Sequence, residues 1–137
     1  MDEPLIVTRD VDVDLDAAEL WSLIAEGAGW ERWLVDEAAV AIEPGATGTV
    51  RDDGEDRELR ITHVVDGERV AFEWWPIDRP ADASAVELVV VPSRRGAMLH
   101  VTETFPPRRT ALASAASFTW EVRALAAWAW AGCRVHA

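Results

Sequence analysis

Two ionisable side chains in predicted β-strands are the first candidates for chemistry, because each shares a strand face with apolar neighbours. Glu103 alternates with Leu99 and Val101, so its carboxylate should point inward, where it could bind a ligand or transfer a proton. His63 follows Ile61 at the same spacing of two and should also point inward. A lone histidine in such a pattern is more often a hydrogen-bonded core residue than a catalytic base. Each of the two residues is therefore open to a structural and a functional interpretation.

The composition excludes several other kinds of site. The chain has no lysine, asparagine, glutamine or tyrosine, so Schiff-base catalysis, a phosphate-loop lysine and a tyrosine acid are excluded. The three histidines are far apart and the single cysteine, Cys133, has no evident histidine partner, so we predict no metal site, no nucleophilic thiol and no cofactor. Asp10, Asp12 and Asp14 resemble the start of a calcium loop, but the glycine and the glutamate that complete such a loop are missing. We interpret these aspartates as the outer face of a strand.

The charge of the chain limits its partners. The 137 residues carry a net charge of −12, which repels nucleic-acid phosphates and anionic lipid head groups. No apolar run is long enough to cross a bilayer, and the acidic first residues do not resemble a signal peptide. We therefore expect a single cytoplasmic domain, residues 1–137, without a nucleic-acid partner and without membrane insertion.

Hydrophobic periodicity predicts an α+β domain with the order strand, two short helices, six strands and a long helix. Apolar and polar side chains alternate along residues 5–15, which predicts a strand. Asp16 and Glu19 then resemble a capping box that starts the first helix. Gly27 and Gly29 are expected to end this helix, and residues 30–35 to form the second. The six further strands are predicted at residues 38–42, 47–51, 57–65, 69–75, 84–91 and 97–105, and the long helix at residues 110–132.

The strand at residues 69–75 is unusually aromatic. Val70, Phe72 and Trp74 fall on one face, and Trp75 falls on the other, just before Pro76. Large side chains at this spacing must cover either a bulky core or a cavity that holds a ligand. The sequence favours the cavity without identifying the ligand.

Three groups of segments, which together span nearly all of the chain, follow a recognisable order. They are residues 13–21 (VDLDAAELW) with Trp30-x-x-Trp33, residues 44–48 (PGATG) with residues 69–76 (RVAFEWWP), and residues 84–88 (SAVEL) with residues 96–103 (GAMLHVTE). These segments resemble the START-like (SRPBCC) superfamily, in particular the branch of the activator of heat-shock protein 90 ATPase. The resemblance implies a helix-grip fold, in which a curved antiparallel sheet wraps around the long C-terminal helix and encloses a hydrophobic cavity.

The resemblance also implies a set of ligand-binding residues. Relatives bind lipids, sterols or polyketides, so the expected function is binding of a hydrophobic small molecule as a carrier or sensor. Trp30 and Trp33 would lie near the mouth of the cavity, and Glu103 would give polar recognition, unless it forms a structural ion pair with Arg9 of the first strand. The remaining expected ligand-binding residues are His63, Phe72, Trp74, Leu88, Val101, Phe118 and Val122.

Two other functions stay open at this point. A few relatives catalyse cyclisation, so a cyclase or aromatase could use Glu103 or His63 as its acid or base. The namesake of the branch assists a chaperone, so the chain could instead bind a protein partner. Trp128 and Trp130 cannot both face the sheet from one helix, and the outward one would offer an exposed apolar contact for that partner.

Overall fold

The structure is a computed structural model that describes residues 5–94 and 96–106 of the chain. The predicted helix at residues 110–132 lies outside the described residues, as do Phe118 and Val122. Within them, the predicted order of one strand, two short helices and six strands is confirmed. The elements are β1 (Leu5–Val13), α1 (Ala17–Ser22), α2 (Gly27–Trp30), β2 (Glu37–Ala39), β3 (Thr47–Asp52), β4 (Glu55–Val65), β5 (Arg69–Pro76), a 3-10 turn (Pro80–Asp82), β6 (Ser84–Ser93) and β7 (Gly96–Phe105).

The strands form one curved, fully antiparallel sheet in the order β1-β7-β6-β5-β4-β3-β2. The first and last strands are neighbours, with Leu5 opposite Phe105 and Val13 opposite Ala97. All other neighbours follow one another in sequence, so the sheet is built from consecutive hairpins joined at one end by β1. No helix among the described residues is long and apolar enough to cross a membrane.

The hairpin between β3 and β4 is tighter than the sequence predicted. Asp52 lies opposite Glu55, so only Asp53 and Gly54 form the turn, with φ angles of 52° and 76°. Positive φ at both central residues matches the twist of the two strands that the turn connects. Of the residues between the predicted strands 47–51 and 57–65, Asp52, Glu55 and Asp56 therefore extend the two strands, and only Asp53 and Gly54 form the turn.

A capping box starts the first short helix, and a glycine allows the second helix to pack closely against it. The Asp16 carboxylate accepts a hydrogen bond of 2.7 Å from the Glu19 backbone N–H, and Glu19 reaches back to the Asp16 N–H, which confirms the capping box. The predicted boundary between the helices is wrong, because α1 already ends at Ser22 and α2 begins at Gly27. A Cβ atom at Gly29 would lie 2.5 Å from the carbonyl oxygen of Ser22, so a glycine lets the two helices touch.

A β-bulge in β4 reverses the predicted orientation of His63. Ile61 lies opposite Phe72, but His63 lies opposite Ala71, so Thr62 is an extra residue in the strand. Side chains beyond the bulge change faces, and His63 is exposed on the outer side of the sheet. The prediction that His63 points inward is therefore wrong.

The hydrophobic core lies on the concave face of the sheet. Alternate side chains of β4 to β7 are buried there, and α1 packs against β6 and β7. Each of the inward-facing residues predicted on β5, β6 and β7 is buried, which confirms the period-two assignment: Phe72, Trp74, Val86, Leu88, Leu99, Val101 and Glu103.

Candidate functional site

A buried carboxylate interrupts the apolar concave face. Glu103 is only 3% exposed, and its Oε2 atom accepts two hydrogen bonds from neighbouring strands. The Ser84 hydroxyl donates one at 2.5 Å, and the Trp74 indole N–H donates the other at 3.0 Å. The same indole N–H lies 3.1 Å from the Ser84 hydroxyl oxygen, so the three side chains form one closed polar cluster. We call these three residues the Glu103 cluster.

The strand register places this cluster without the help of loops. Ser84 begins β6 directly opposite Trp74 of β5, and Glu103 of β7 lies opposite Val86, two residues further along β6. All three residues point to the concave side because each shares the phase of buried neighbours. Residues held by regular strands keep their geometry better than residues held by loops.

A guanidinium group extends the cluster on its β4 side. Arg57 shares the inward phase of Leu59 and Ile61, and its side chain is half-buried. Its Cζ atom lies 4.8 Å from the centroid of the Trp74 ring, which is a cation–π contact. The Arg57 Nε atom is buried and has no hydrogen-bond acceptor within the described residues.

The tryptophans expected at the mouth of a cavity belong to the core instead. Trp30 is 0% exposed, its ring lies 4.8 Å from that of Phe72, and its indole N–H donates to the Ile24 carbonyl at 2.8 Å. Trp33 is also buried, and its indole N–H donates to the Leu23 carbonyl at 2.9 Å. Each indole therefore hydrogen-bonds a backbone carbonyl just after α1, and the expectation that the two mark an opening does not hold.

The other predicted site residues divide between the two faces of the sheet. Arg9 lies on the inward phase of β1, opposite Val101, while Val7 is the residue opposite Glu103. An Arg9 guanidinium nitrogen, Nη1, donates to the Thr8 carbonyl at 2.9 Å. Trp74 is a member of the Glu103 cluster, and Phe72, Leu88 and Val101 are buried on the same concave face, whereas His63 does not belong to this site.

The outer face carries solvated charge pairs that differ in character from the cluster. His100 contacts the Asp10 carboxylate across β1 and β7, and its other ring nitrogen lies 3.4 Å from the Thr102 hydroxyl oxygen. Exposed pairs of this kind contribute little to stability and are typical of a solvated strand face. They do not join the candidate site.

Sequence reasoning missed Ser84 and Arg57 as members of the site. The signal was present, because Ser84 shares a phase with Val86 and Arg57 shares a phase with Leu59. A polar residue at an otherwise apolar phase is informative, because such residues are seldom buried without a partner. The same test that selected Glu103 would have selected both.

Comparison with known proteins rests on structure alone. No family model matches the chain, and no curated protein matches it in sequence. Solved structures match strongly. The protein MLL2253 from Mesorhizobium loti superposes with a TM-score of 0.81 at 17% identity, over 95% of this chain and 98% of that chain.

Two further solved structures are similar to this chain. DynU16, a protein of the dynemicin biosynthetic locus, matches with a TM-score of 0.80 at 17% identity over 91% of this chain. The match covers 46% of DynU16, so this chain spans about half of its length. The Aha1 dimer from Colwellia psychrerythraea matches with a TM-score of 0.78 at 11% identity, over 90% of this chain and 93% of that one. The chain therefore has the fold of the START-like (SRPBCC) proteins, and its structural neighbours include the bacterial Aha1 of the predicted branch.

Proposed function

We propose that the protein binds a hydrophobic small molecule against the concave face of its sheet and acts as a carrier or sensor. One observation carries this proposal: the buried Glu103 cluster lies among the apolar side chains of the concave face. Small-molecule sites in proteins are mostly apolar, with a few polar groups that orient the ligand. Strands β5, β6 and β7 match this description, because they present buried apolar side chains together with the polar groups of the Glu103 cluster.

The structural neighbours guide the choice of ligand class. DynU16 is a protein of a biosynthetic locus, which supports including aromatic natural-product-like molecules beside lipids and sterols. Likeness of fold does not identify a ligand, because one fold carries many functions. The site itself must therefore be tested against several classes of hydrophobic molecule.

The competing interpretation is that the concave face is only a packed core. Trp30, Phe72 and Trp74 form a chain of ring contacts at 4.8 Å and 5.2 Å, and each ring buries a large area whether or not a ligand is present. A core of this kind would bind nothing. Direct titration separates the two interpretations.

Intrinsic tryptophan fluorescence gives the test, since Trp74 lies on the concave face and Trp30 of α2 packs against Phe72 of that face. The protein is titrated with a fatty acid, a sterol and an aromatic polyketide, and the midpoint of thermal unfolding is measured with each. We expect one class to shift the emission and to stabilise the fold by about 2.7 kcal/mol at a concentration 100 times its Kd. If no class changes either signal, the proposal is wrong.

A second measurement uses protein purified from its own host. Native mass spectrometry would report a retained ligand as a mass added to the chain, and denaturation would release it for identification. Glu103→Gln is the matched variant, because it keeps the shape of the side chain and removes its charge. Weaker binding to this variant, with the fold retained, would assign recognition to the carboxylate, and unchanged binding would restrict Glu103 to a structural role.

A further inference from the structure

Arg57 differs from the arginines on the outer face of the sheet, because its charge has no partner within the described residues. Four outer or loop arginines form ion pairs at 2.9–3.5 Å: Arg51 with Asp56, Arg60 with Glu73, Arg69 with Glu87, and Arg79 with Glu55. The chain has 25 acidic and 13 basic residues, so carboxylates are abundant. No ion pair among the described residues includes Arg57. The carboxylates next to it in sequence, Asp56 and Glu58, point to the opposite face of the sheet.

The buried part of Arg57 is incompletely satisfied. Its Nε atom is shielded from solvent and lacks an acceptor among the described residues. Leaving a buried donor without a hydrogen bond is unfavourable, and more so when the group is charged. Buried polar groups without a hydrogen-bond partner are uncommon in native proteins, and a bound molecule that supplies the acceptor is one explanation for such a group.

The contact with Trp74 places the Arg57 guanidinium beside the Glu103 cluster. Its Cζ atom lies over the Trp74 ring, 4.8 Å from the ring centroid, and the guanidinium carries a planar, fork-shaped set of N–H donors along its edge. That edge matches two carboxylate oxygens in a bidentate pair. Glu103 does not fill this role through its Oε2 atom, because that atom already accepts from Ser84 and from the Trp74 N–H.

The position of Arg57 also suits the polar end of an elongated ligand. Arg57 lies opposite Pro76, the last residue of β5, at the end of the sheet where β6 begins with Ser84. The chain leading to α1 passes over the opposite end, where Gly96 approaches the Val13 and Leu15 carbonyls. A ligand with its apolar body on the concave face would therefore place its head group at half-buried Arg57.

We infer that the ligand class is an apolar carboxylate, held by a bidentate pair between its carboxylate and the Arg57 guanidinium, which lies over the Trp74 ring. This inference rests on the proposed function, since it names the chemistry of the molecule bound at the same face. Specificity would come from charge at Arg57 and from apolar contact with the core side chains. A neutral molecule of the same length would bind more weakly, because it could not form the charged, bidentate pair with the guanidinium.

The test uses two probes that differ only in their head group, decanoate and 1-decanol, at a pH where decanoate is ionised. Binding to the wild-type protein is measured by tryptophan fluorescence and by calorimetry. We expect decanoate to bind about tenfold more tightly than 1-decanol, because only the carboxylate forms a charge-assisted pair with the guanidinium. Arg57→Gln should remove this difference by weakening decanoate and leaving 1-decanol unchanged.

Arg60→Gln is the control, because Arg60 lies on the same strand but pairs with Glu73 on the outer face. It should leave both affinities unchanged. Arg57→Lys keeps the charge but loses the fork-shaped edge, so it should give an intermediate decanoate affinity; this variant serves as the test if Arg57→Gln does not fold. Equal affinities of the two probes, insensitive to Arg57, would overturn this inference and leave hydrophobic binding intact. Failure of both probes, and of the other hydrophobic classes, to bind the folded wild type would remove the proposed function as well.

Discussion

Replacing Ser84 with alanine would test how strongly the Glu103 cluster holds the concave face together. The substitution removes one hydroxyl group from a residue that is 5% exposed and keeps the strand backbone. It deletes the 2.5 Å hydrogen bond to the Glu103 carboxylate, while the 3.0 Å bond from the Trp74 indole remains. The buried carboxylate would thus lose one of its two described hydrogen-bond donors.

The size of the effect follows from the charge of the acceptor. A hydrogen bond to a charged group contributes about 1.5–3 kcal/mol, and removal of a single oxygen atom creates almost no cavity. We therefore expect Ser84→Ala to lower the free energy of unfolding by roughly 2 kcal/mol. In a chain of this size, that loss corresponds to a melting temperature lower by roughly 6–10 °C.

Urea unfolding followed by tryptophan fluorescence would measure this loss, with Ser93→Ala as control. Ser93 lies at the exposed end of the same strand, so its replacement should change stability by less than about 0.5 kcal/mol. The cost of Ser84→Ala should also shrink when Glu103 is replaced with glutamine, because the acceptor is then neutral. If Ser84→Ala costs no more than Ser93→Ala, the argument that the cluster holds a buried charge is refuted.

Two further substitutions probe other parts of the structure. Gly29→Ala would place a Cβ atom 2.5 Å from the Ser22 carbonyl oxygen, so it should lower the free energy of unfolding by about 1–3 kcal/mol in a thermal unfolding experiment. Gly27→Ala is the control and should lower it less, because a Cβ atom there meets its nearest atom only at 3.1 Å. Equal losses of stability in the two variants would contradict the close contact at Gly29. A hydrogen bond from Arg51, together with its charge, lowers the pKa of Asp56 below its ordinary value, so the carboxylate's small stabilising contribution is present above the ordinary pKa and is lost as the pH falls through the lowered one. Arg51→Gln should return the pKa of Asp56 to its ordinary value in an NMR titration, and an unchanged titration would show that the pair does not form in solution.

The sequence predicted the elements where local rules apply. Asp16 and Glu19 satisfy each other within four residues, so the start of α1 could be placed from the capping pattern alone. The alternation through Phe72 and Trp74 predicted the buried face of β5, because side chains of a regular strand change sides at every step. Glu103 was found by the same rule.

The predictions for His63 and Trp30 were wrong because both positions depend on contacts with other elements of the fold. The bulge at Thr62 changes the face of His63, and nothing in the local alternation shows which residue of a strand will be left unpaired. Trp30 was expected at an opening, but the carbonyl that its indole binds belongs to Ile24, beyond the end of another helix. Contacts between elements decide such positions, and a single sequence does not contain them.

The edge of β1 that does not face β7 bears on whether two copies of this protein can associate through their strands. Among the described residues β1 has β7 as its one strand neighbour, so its other edge is a possible template for a strand from a second molecule. Its exposed side carries Asp10 and Asp12, and the whole chain has a net charge of −12. Two such edges repel each other on approach, so electrostatic repulsion guards this strand against templated aggregation. High salt, which screens that repulsion, would weaken the protection.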